Sequence, residues 1–423
     1  MTWVNSLIGW QYPEATIKKY IDREAIALLT MDFDYPCQNK CNLKCRYCFV
    51  ETDEREFVRN KQGSLSKLNI EQLKSIFKDA ATLGCKSAKL VGDQEPFQES
   101  GFVDFIEFAS EMLNMWMVVF TNGSILADES QCLKVHGLKP RELIEYLKKL
   151  RVSIMLKFHS FNNDKEDSLV GLKGYAEKRN HILEQLIAVG FNEPPVFSCE
   201  EEKLIMTGVA AEDSPTGWTR LGLESVITPQ GIDDIEKIYR LKAERRIFVD
   251  LDPPVPVGLT RNADWRKRRG LYISKERMLK IAEGIYSLNE ELGIPFGGAS
   301  PYLGGLPCSQ LPYGLYINAR GRIYPCCGCP DETDGTDNNY LGNVHQEYAL
   351  IKAIANNPYR NHYKKHGFAY NSIPFNSIGY KGYGIYHGCP FRDRAGDLLP
   401  IGWEAKVAEH VQNLRDLETE MKG

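Results

Sequence analysis

Three features of the sequence predict an α/β fold built on parallel strands. Short apolar runs of strand length alternate with longer segments whose apolar residues recur at helical spacing. The alternation repeats six times between Ala27 and Leu251. Glycine or proline punctuates the helical segments, as at Gly84, Pro140 and Gly190. Six successive strand-helix units leave few packings other than parallel strands covered by helices, because the crossovers are right-handed.

Residues 1–25 read as a short leader helix or arm. Ala27 to Phe33 is the first strand, left at Asp34-Tyr35-Pro36. Leu68 to Leu83 carries Ile70, Leu73, Ile76, Phe77 and Ala80 on one helical face, with Asn69 as N-cap, Gln72 completing a capping box and Gly84 past the end. A strand at Ser87–Val91, a helix near Phe102–Leu113, a strand at Met117–Phe120 and a helix opened by Pro140 follow. Val152–Leu156 is the fourth strand and Tyr175–Val189 the next helix. From 195 to 225 the rhythm loosens, with a hairpin expected around Leu204–Val209. Ser225–Thr228, a helix from Gly231 to Ala243 and the strand Arg246–Leu251 restore it.

Beyond Asp252-Pro253-Pro254 the composition changes. Arg261, Arg266, Lys267, Arg268 and Arg269 make a basic loop, Ser274–Leu292 is an amphipathic helix, and Gly297, Gly298, Gly304 and Gly305 mark a boundary. Leu315 to Cys326 reads as a hairpin around Asn318-Ala-Arg-Gly321, and Trp403–Met421 as a final helix. The expected organisation is an arm over 1–26, a barrel over 27–300 and a smaller unit over 301–423.

A chain of 423 residues buries a core without disulfide staples. Lys plus Arg at 52 against Asp plus Glu at 56 gives a formal charge of −4, which argues against bulk nucleic-acid binding. Met1–Tyr20 has no apolar stretch suited to a signal peptide or membrane span, so the cytoplasm is the expected compartment. Twelve cysteines in a reducing compartment read as metal or cluster ligands. Cys37, Cys41, Cys45 and Cys48 lie near the start, and Cys308, Cys326, Cys327, Cys329 and Cys389 near the end.

Cys41-Asn-Leu-Lys-Cys45-Arg-Tyr-Cys48 has the spacing C-x3-C-x2-C. Three closely spaced thiolates hold three irons of a [4Fe-4S] cluster and leave the fourth without a protein ligand. A structural zinc site is the competing reading, since Cys45 and Cys48 form a C-x2-C pair. The motif resembles the signature of the radical S-adenosylmethionine (SAM) superfamily, down to the aromatic Tyr47 before the last cysteine. The resemblance implies that SAM chelates the open iron and is cleaved to methionine and a 5'-deoxyadenosyl radical. It sharpens the fold into a partial (β/α)6 TIM-like barrel open on one side, with function at the C-terminal ends of its strands.

Further motifs fall where that barrel needs them. Gly92-Asp93-Gln94-Glu95-Pro96 resembles the superfamily's G-G-E-P element, which binds the SAM ammonium, although it is one residue longer. Thr121-Asn122-Gly123 resembles its T-N-G step, and Lys157-Phe158-His159-Ser160 ends the fourth strand, where relatives place polar contacts to SAM. The resemblance therefore implies SAM contacts from Tyr47, Phe49, Gly92, Asp93, Glu95, Asn122, Lys157 and Ser160. Asp250 and Asp252 share a face of the sixth strand by the two-residue period. Facing the barrel mouth, either is placed to bond a substrate hydroxyl or amine, or to act as a base with a raised pKa; capping of a turn is the plainer alternative.

Cys308, Gly321 and Cys326 fit C-x12-G-x4-C and, with Leu341-Gly-Asn-Val344, resemble the SPASM and twitch auxiliary-cluster domains. That resemblance implies a second [4Fe-4S] cluster on Cys308, Cys326, Cys329 and Cys389, with Cys327 as the alternative to Cys329 and a zinc ribbon as the alternative to a cluster. The expected activity is hydrogen abstraction from a small natural-product substrate, aminosugar-like or polyol-like, ending in oxidation, dehydration or epimerisation. Modification of a ribosomal peptide gripped by Arg261–Arg269 is the second reading, and an iron-sulfur carrier the non-enzymatic one. A flavodoxin- or ferredoxin-type electron donor is the implied protein partner.

Overall fold

A two-residue alternation runs through the strands, apolar on one face and mixed on the other, and this pattern sets the architecture. The computed structural model describes residues 4, 6–21, 27–48, 66–92, 94–252, 254, 263–293, 310–327 and 340–366. In chain order the first elements are β1 (Ser6–Leu7), α1 (Glu14–Ile21), β2 (Thr30–Asp34), α2 (Ile70–Thr82), β3 (Ser87–Gly92), α3 (Phe102–Glu107, followed by a π-helical turn to Met112) and β4 (Trp116–Thr121). Next come α4 (Glu129–His136), α5 (Pro140–Lys149), β5 (Val152–Lys157), α6 (Asn163–Val170), α7 (Tyr175–Ala188), α8 (Glu200–Thr207), β6 (Trp218–Thr219) and β7 (Leu221–Val226). The remainder are α9 (Ile235–Glu244), β8 (Phe248–Asp252), α10 (Ala263–Arg268), α11 (Lys275–Leu292), α12 (Gln310–Tyr313), β9 (Gly314–Ile317), β10 (Arg322–Tyr324), β11 (Gly342–Asn343), α13 (Ala349–Asn356) and α14 (Pro358–His366).

One sheet has the order β11-β10-β9-β2-β3-β4-β5-β7-β8. The six strands β2, β3, β4, β5, β7 and β8 run parallel, in agreement with a partial (β/α)6 barrel. Their outward residues, among them Met31, Phe33, Leu90, Val119, Ile154, Leu223 and Val249, enter the main core with Phe77, Phe105, Leu143 and Tyr239 from the helices. Edge-on aromatic pairs fix this seam: Phe33 to Phe77 at 5.0 Å and Phe77 to Phe105 at 4.8 Å between ring centres. The inward face is apolar at its floor, where Val118, Met155 and Phe248 meet Val4 and Leu7.

The expected N-terminal arm is the plug of that floor. β1 pairs with β6, Ser153 Oγ donates to the Ile8 carbonyl at 2.8 Å, and Ser87 Oγ donates to the Gly9 carbonyl at 2.9 Å. Gly9 has φ +83°, and a Cβ there would stand 3.0 Å from Val118 Cγ2, so the close approach requires glycine.

Three expectations change. The hairpin around Leu204–Val209 is instead helix α8, capped by the Cys199 side chain and ended by Gly208 at φ +68°. Glu200, Glu201 and Glu202 in its first turn complement the helix dipole, a signal stronger than the short apolar run. The basic loop contains helix α10, and its Arg266 is only 3% exposed, so that guanidinium is not available to a peptide. Helices α4 and α6 add to the predicted repeats. The hairpin around Asn318–Gly321 is β9 and β10, and β9 lies parallel to β2, which joins it to the barrel sheet. The glycines at 297, 298, 304 and 305, Arg261 and the helix Trp403–Met421 lie outside the described residues.

Arg220 binds the end of α5 to the start of β5 from a buried position. Its guanidinium donates to the carbonyls of Val152 and Lys148 at 2.8 Å, Leu150 at 2.6 Å and Leu147 at 3.3 Å. Burial lowers its pKa to about 9. Arg220→Met strips several buried carbonyls of their donor and is expected to cost about 3 kcal/mol in chemical denaturation; a loss under about 0.5 kcal/mol would show that the carbonyls find other donors.

Candidate active site

The loop from Cys41 to Cys48 follows β2 and lies along the end of α6. The Lys44 and Arg46 N–H groups donate to the Val170 and Leu169 carbonyls at 2.9 and 3.0 Å. Leu43 and Tyr47 are buried and Lys44 and Arg46 exposed, so the loop alternates like a strand. Cys41, Cys45 and Cys48 are each half-buried. Burial, then the nearby Glu95 charge, pushes the Cys41 thiol up to about 11. Burial pushes Cys45 up to about 12, with Lys157 and the Tyr47 hydroxyl acting against it. Free thiols so placed keep their protons, and the positive charge of bound iron would release them. Asn122 Nδ2 stands 3.7 Å from Cys41 Sγ as a donor to sulfur. Among the described residues no three donors close on a single-ion site. The three thiols come from one loop and act electrostatically on one another, which fits a cluster held by that loop.

The G-x-x-E-P element explains its own extra residue. Gln94 Oε1 accepts the Cys41 N–H at 2.5 Å, tying this loop to the cysteines. Glu95 is 4% exposed. Its carboxylate accepts from Thr121 Oγ1 at 2.7 Å, the Asn122 N–H at 2.8 Å and the Phe97 N–H at 3.4 Å. Burial raises its pKa and these neutral donors only partly offset it. A buried carboxylate held by neutral donors is suited to a cationic ligand such as the SAM ammonium. Asn122 also donates to Asn42 Oδ1 at 3.0 Å, and Asn42 donates to Ser124 Oγ at 2.7 Å. Gly92 ends β3; Phe49 and Asp93 lie outside the described residues.

Across the inward face, β-sheet register builds a charged row. Lys157 on β5 is opposite Glu224 on β7, and Glu224 is opposite Asp250 on β8. Lys157 Nζ lies 3.1 Å from Glu224 Oε2 and 5.5 Å from the Tyr47 ring centre. Burial opposes the Lys157 charge, but Glu224 and Cys45 outweigh it and hold the pKa above the ordinary range. Burial, with Asp252 and Glu224 beside it, raises Asp250 well above the usual carboxylate range. Asp250 and Asp252 are therefore neighbours that resist simultaneous ionisation. Lys157 is committed to a carboxylate of the protein.

Ser160 is also committed. It is 1% exposed, its hydroxyl donates to Asp234 Oδ2, and the Asn162 N–H donates to it at 3.0 Å. Beside it, Glu166 accepts from His159 Nδ1 at 3.0 Å, from the His159 N–H at 3.0 Å and from the Ser160 N–H at 2.8 Å, with Arg179 at 3.4 Å. The His159 ring packs on Tyr47 with centres 4.8 Å apart.

Of the expected C-terminal ligands, Cys326 and Cys327 follow β10 after Pro325, while Cys308, Cys329 and Cys389 lie outside the described residues. Burial raises the Cys327 thiol well above its ordinary value, and the charges of Asp32, Cys326, Lys89 and Asp34 act on it. Lys89 pairs with Asp32 at 3.4 Å on the inward face. Sequence reasoning missed Gln94, Glu224, His159 and Glu166. For Glu224 the signal was a single charge within an apolar strand; for Glu166, the contact to His159 is tertiary.

The description Radical SAM superfamily matches residues 35–199. The chain is 31% identical over 102 residues to the GTP 3',8-cyclase of Clostridium perfringens, covering 24% of this chain and 30% of that protein. It thus spans under a third of that relative's length. It is 24% identical over 375 residues to the GTP 3',8-cyclase of Heliobacterium modesticaldum, covering 81% of this chain and 94% of that one. The crystal structure of Streptococcus suis SuiB shares the fold, with a TM-score of 0.50 and 15% identity over 87% of this chain and 77% of that one.

Two substitutions test the site's scaffold. Gly123 has φ +74°, and a Cβ would meet Leu156 Cδ1 at 2.8 Å. Gly123→Ala is expected to cost about 1–3 kcal/mol, read as a lower melting temperature; an unchanged value would show that the loop shifts freely. Burial opposes ionisation of Glu166, but His159 and Arg179 outweigh it and lower its pKa. Its folded pKa lies below the unfolded one, so its stabilisation is present above the ordinary glutamate range and lost as pH falls through the folded value. Glu166→Gln is expected to lose about 3 kcal/mol at neutral pH and to flatten the acid limb of stability. An acid limb as steep as wild type would contradict this.

Proposed function

Because this chain is a radical SAM enzyme, we propose that it abstracts hydrogen from a small, cationic or hydroxyl-rich substrate of the aminosugar or polyol class. The observation that carries this reading is the row of Glu224, Asp250 and Asp252 on the inward face. When bound, the cluster and SAM supply a 5'-deoxyadenosyl radical that removes the substrate hydrogen. Cys41, Cys45 and Cys48 would hold that cluster and Glu95 would take the SAM ammonium, while Asn122 lends a donor to Cys41 sulfur. Asp250 and Asp252 share a proton between their carboxyl oxygens, accept hydrogen bonds from a substrate amine or hydroxyl, and take up the proton that an oxidation or dehydration releases. Lys157 pairs with Glu224 and lies over the Tyr47 ring, which keeps both side chains in place.

The named relatives act on GTP. A nucleoside triphosphate would bring its charges against the carboxylates of this row, while Lys157 and Lys89 are already paired with Glu224 and Asp32. An amine gains from the same field. Oxidation, dehydration or epimerisation of such a substrate is the proposed outcome, with a second [4Fe-4S] cluster on Cys308, Cys326, Cys329 and Cys389. The support for that cluster is the C-terminal cysteine spacing and the position of Cys326 two residues after β10, which joins the barrel sheet through β9.

Anaerobic turnover with a panel of aminosugars, polyols and GTP tests the substrate class. Asp250→Asn is expected to lower kcat/KM on an amine substrate about 100-fold while substrate-free SAM cleavage persists. Cyclisation of GTP at a rate unaffected by Asp250→Asn would overturn the reading. Iron analysis tests the cofactors: about eight irons per chain are expected, falling to about four in the Cys41, Cys45, Cys48→Ala variant. Four falling to none would remove the second cluster.

A further inference from the structure

The N-terminal plug does more than close the floor. Its backbone is pinned on both sides of β4, since Ser87 of β3 donates to the Gly9 carbonyl and Ser153 of β5 to the Ile8 carbonyl. Gly9 rests against Val118, where a Cβ would stand 3.0 Å from Cγ2. The next residue, Trp10, turns back and donates its N–H to the Leu7 carbonyl at 3.1 Å. Its indole meets Phe120, two residues above Val118 on the same face of β4, with ring centres 5.4 Å apart and planes at 54°. The plug climbs the inward face of the barrel and presents an aromatic side chain there.

Strand register shows what surrounds that pair. Phe120 is opposite Met155, Met155 opposite Gly222 and Gly222 opposite Phe248. This apolar layer lies two residues, roughly 6.6 Å, below the row of Lys157, Glu224 and Asp250. Val118, Met155 and Phe248 are buried, whereas Trp10 and Phe120 pack on them and stay partly exposed. Lys89 Nζ lies 5.0 Å from the centre of the Trp10 ring, and Lys89 is itself buried, so that side of the indole is closed. The exposed part of the two rings is turned away from the floor, toward the charged row. Burial along the strands agrees. Val91 on β3, Phe120 on β4, Lys157 on β5, Glu224 on β7 and Asp252 on β8 are partly exposed, and the residue before each on the same face is buried. They outline one chamber, apolar beside β3 and β4 and charged beside β5, β7 and β8.

We propose that Trp10 and Phe120 are the platform on which a cyclic substrate stacks, its amine or hydroxyl groups reaching the carboxylates in the layer above. This rests on the substrate class proposed above and adds a demand to it: the substrate is a closed ring with a face of C–H bonds. An aromatic ring carries negative charge over its face. C–H bonds on carbons that bear oxygen or nitrogen carry a small positive charge, so the two attract beyond the area they bury. Carboxylates alone do not tell a ring from an open chain of equal charge, because attraction between charges depends on distance and not on ring closure. An indole beside a phenyl does, since only a closed ring lays several C–H bonds on it at once. A stacked ring is also kept from turning, which fixes the C–H bond it offers to the cysteine-loop end of the barrel.

Calorimetric titration of the reconstituted full-length enzyme, with SAM and without reductant, compares two ligands of equal charge. One is the methyl glycoside of glucosamine, the other its open-chain counterpart 2-amino-2-deoxyglucitol. The wild type is expected to bind the glycoside about tenfold more tightly, and Trp10→Ala or Phe120→Leu to remove that preference by weakening the glycoside alone. Asp250→Asn is expected to weaken both ligands alike, because it removes a charge that both use. Phe120→Leu keeps an apolar side chain on β4 and leaves the plug intact, so it carries the test if Trp10→Ala loosens the floor. Equal binding of the two ligands by the wild type, or glycoside binding unchanged in both aromatic variants, would overturn the platform and leave the acidic row standing. Binding of neither ligand would overturn the amine reading of the site and the platform with it.

Discussion

Glu166 occupies the junction on which the site depends. A carboxylate that receives no exposure must be neutralised where it stands, and Glu166 is met by His159, Arg179 and backbone donors of the loop after β5. Those contacts lock α6 against the barrel mouth. α6 in turn offers its last carbonyls to Lys44 and Arg46 and so positions the cysteine loop. The chain from Glu166 to Cys45 runs through hydrogen bonds and one ring contact, His159 on Tyr47. Rigidity at the cysteines is therefore borrowed from a buried ion pair some way off in sequence.

The same loop divides the electrostatics. On its inner side lie Glu95, Glu224, Asp250 and Asp252, with Lys157 in their midst; on its outer side lie Lys40, Lys44 and Arg46. Burial raises the pKa of Glu95, and burial with Asp252 and Glu224 beside it raises that of Asp250, a state that a bound cation relieves. The outer cations are solvated and act at longer range. One face is buried and acidic and the other exposed and basic.

The floor shows how the inward face can carry so much charge near its mouth. Ile8, Gly9 and Tyr12 close the opposite end, with Ser153 and Ser87 donating to the Ile8 and Gly9 carbonyls and Ser87 accepting the Tyr12 hydroxyl. Apolar packing is thus concentrated below, where Val118, Met155 and Phe248 meet the N-terminal segment.

Much of this was readable along the chain. The six repeats, the capping box at Asn69 and Gln72, the cysteine spacing and the shared face of Asp250 and Asp252 all depend on neighbours within a few residues, where periodicity and local hydrogen bonding decide the outcome. The helix at Glu200–Thr207 was misread because a brief apolar run has two periods that fit it, and the three glutamates at its start settled the choice. Glu224, Gln94 and Glu166 were invisible for another reason: their roles arise from partners on other strands and helices. What the sequence alone determined was the repeat, the ligand spacing and the chemistry those thiols invite. Which carboxylates face one another, and that Lys157 and Ser160 are already engaged, was decided by strand register and burial, which only the folded chain brings into being.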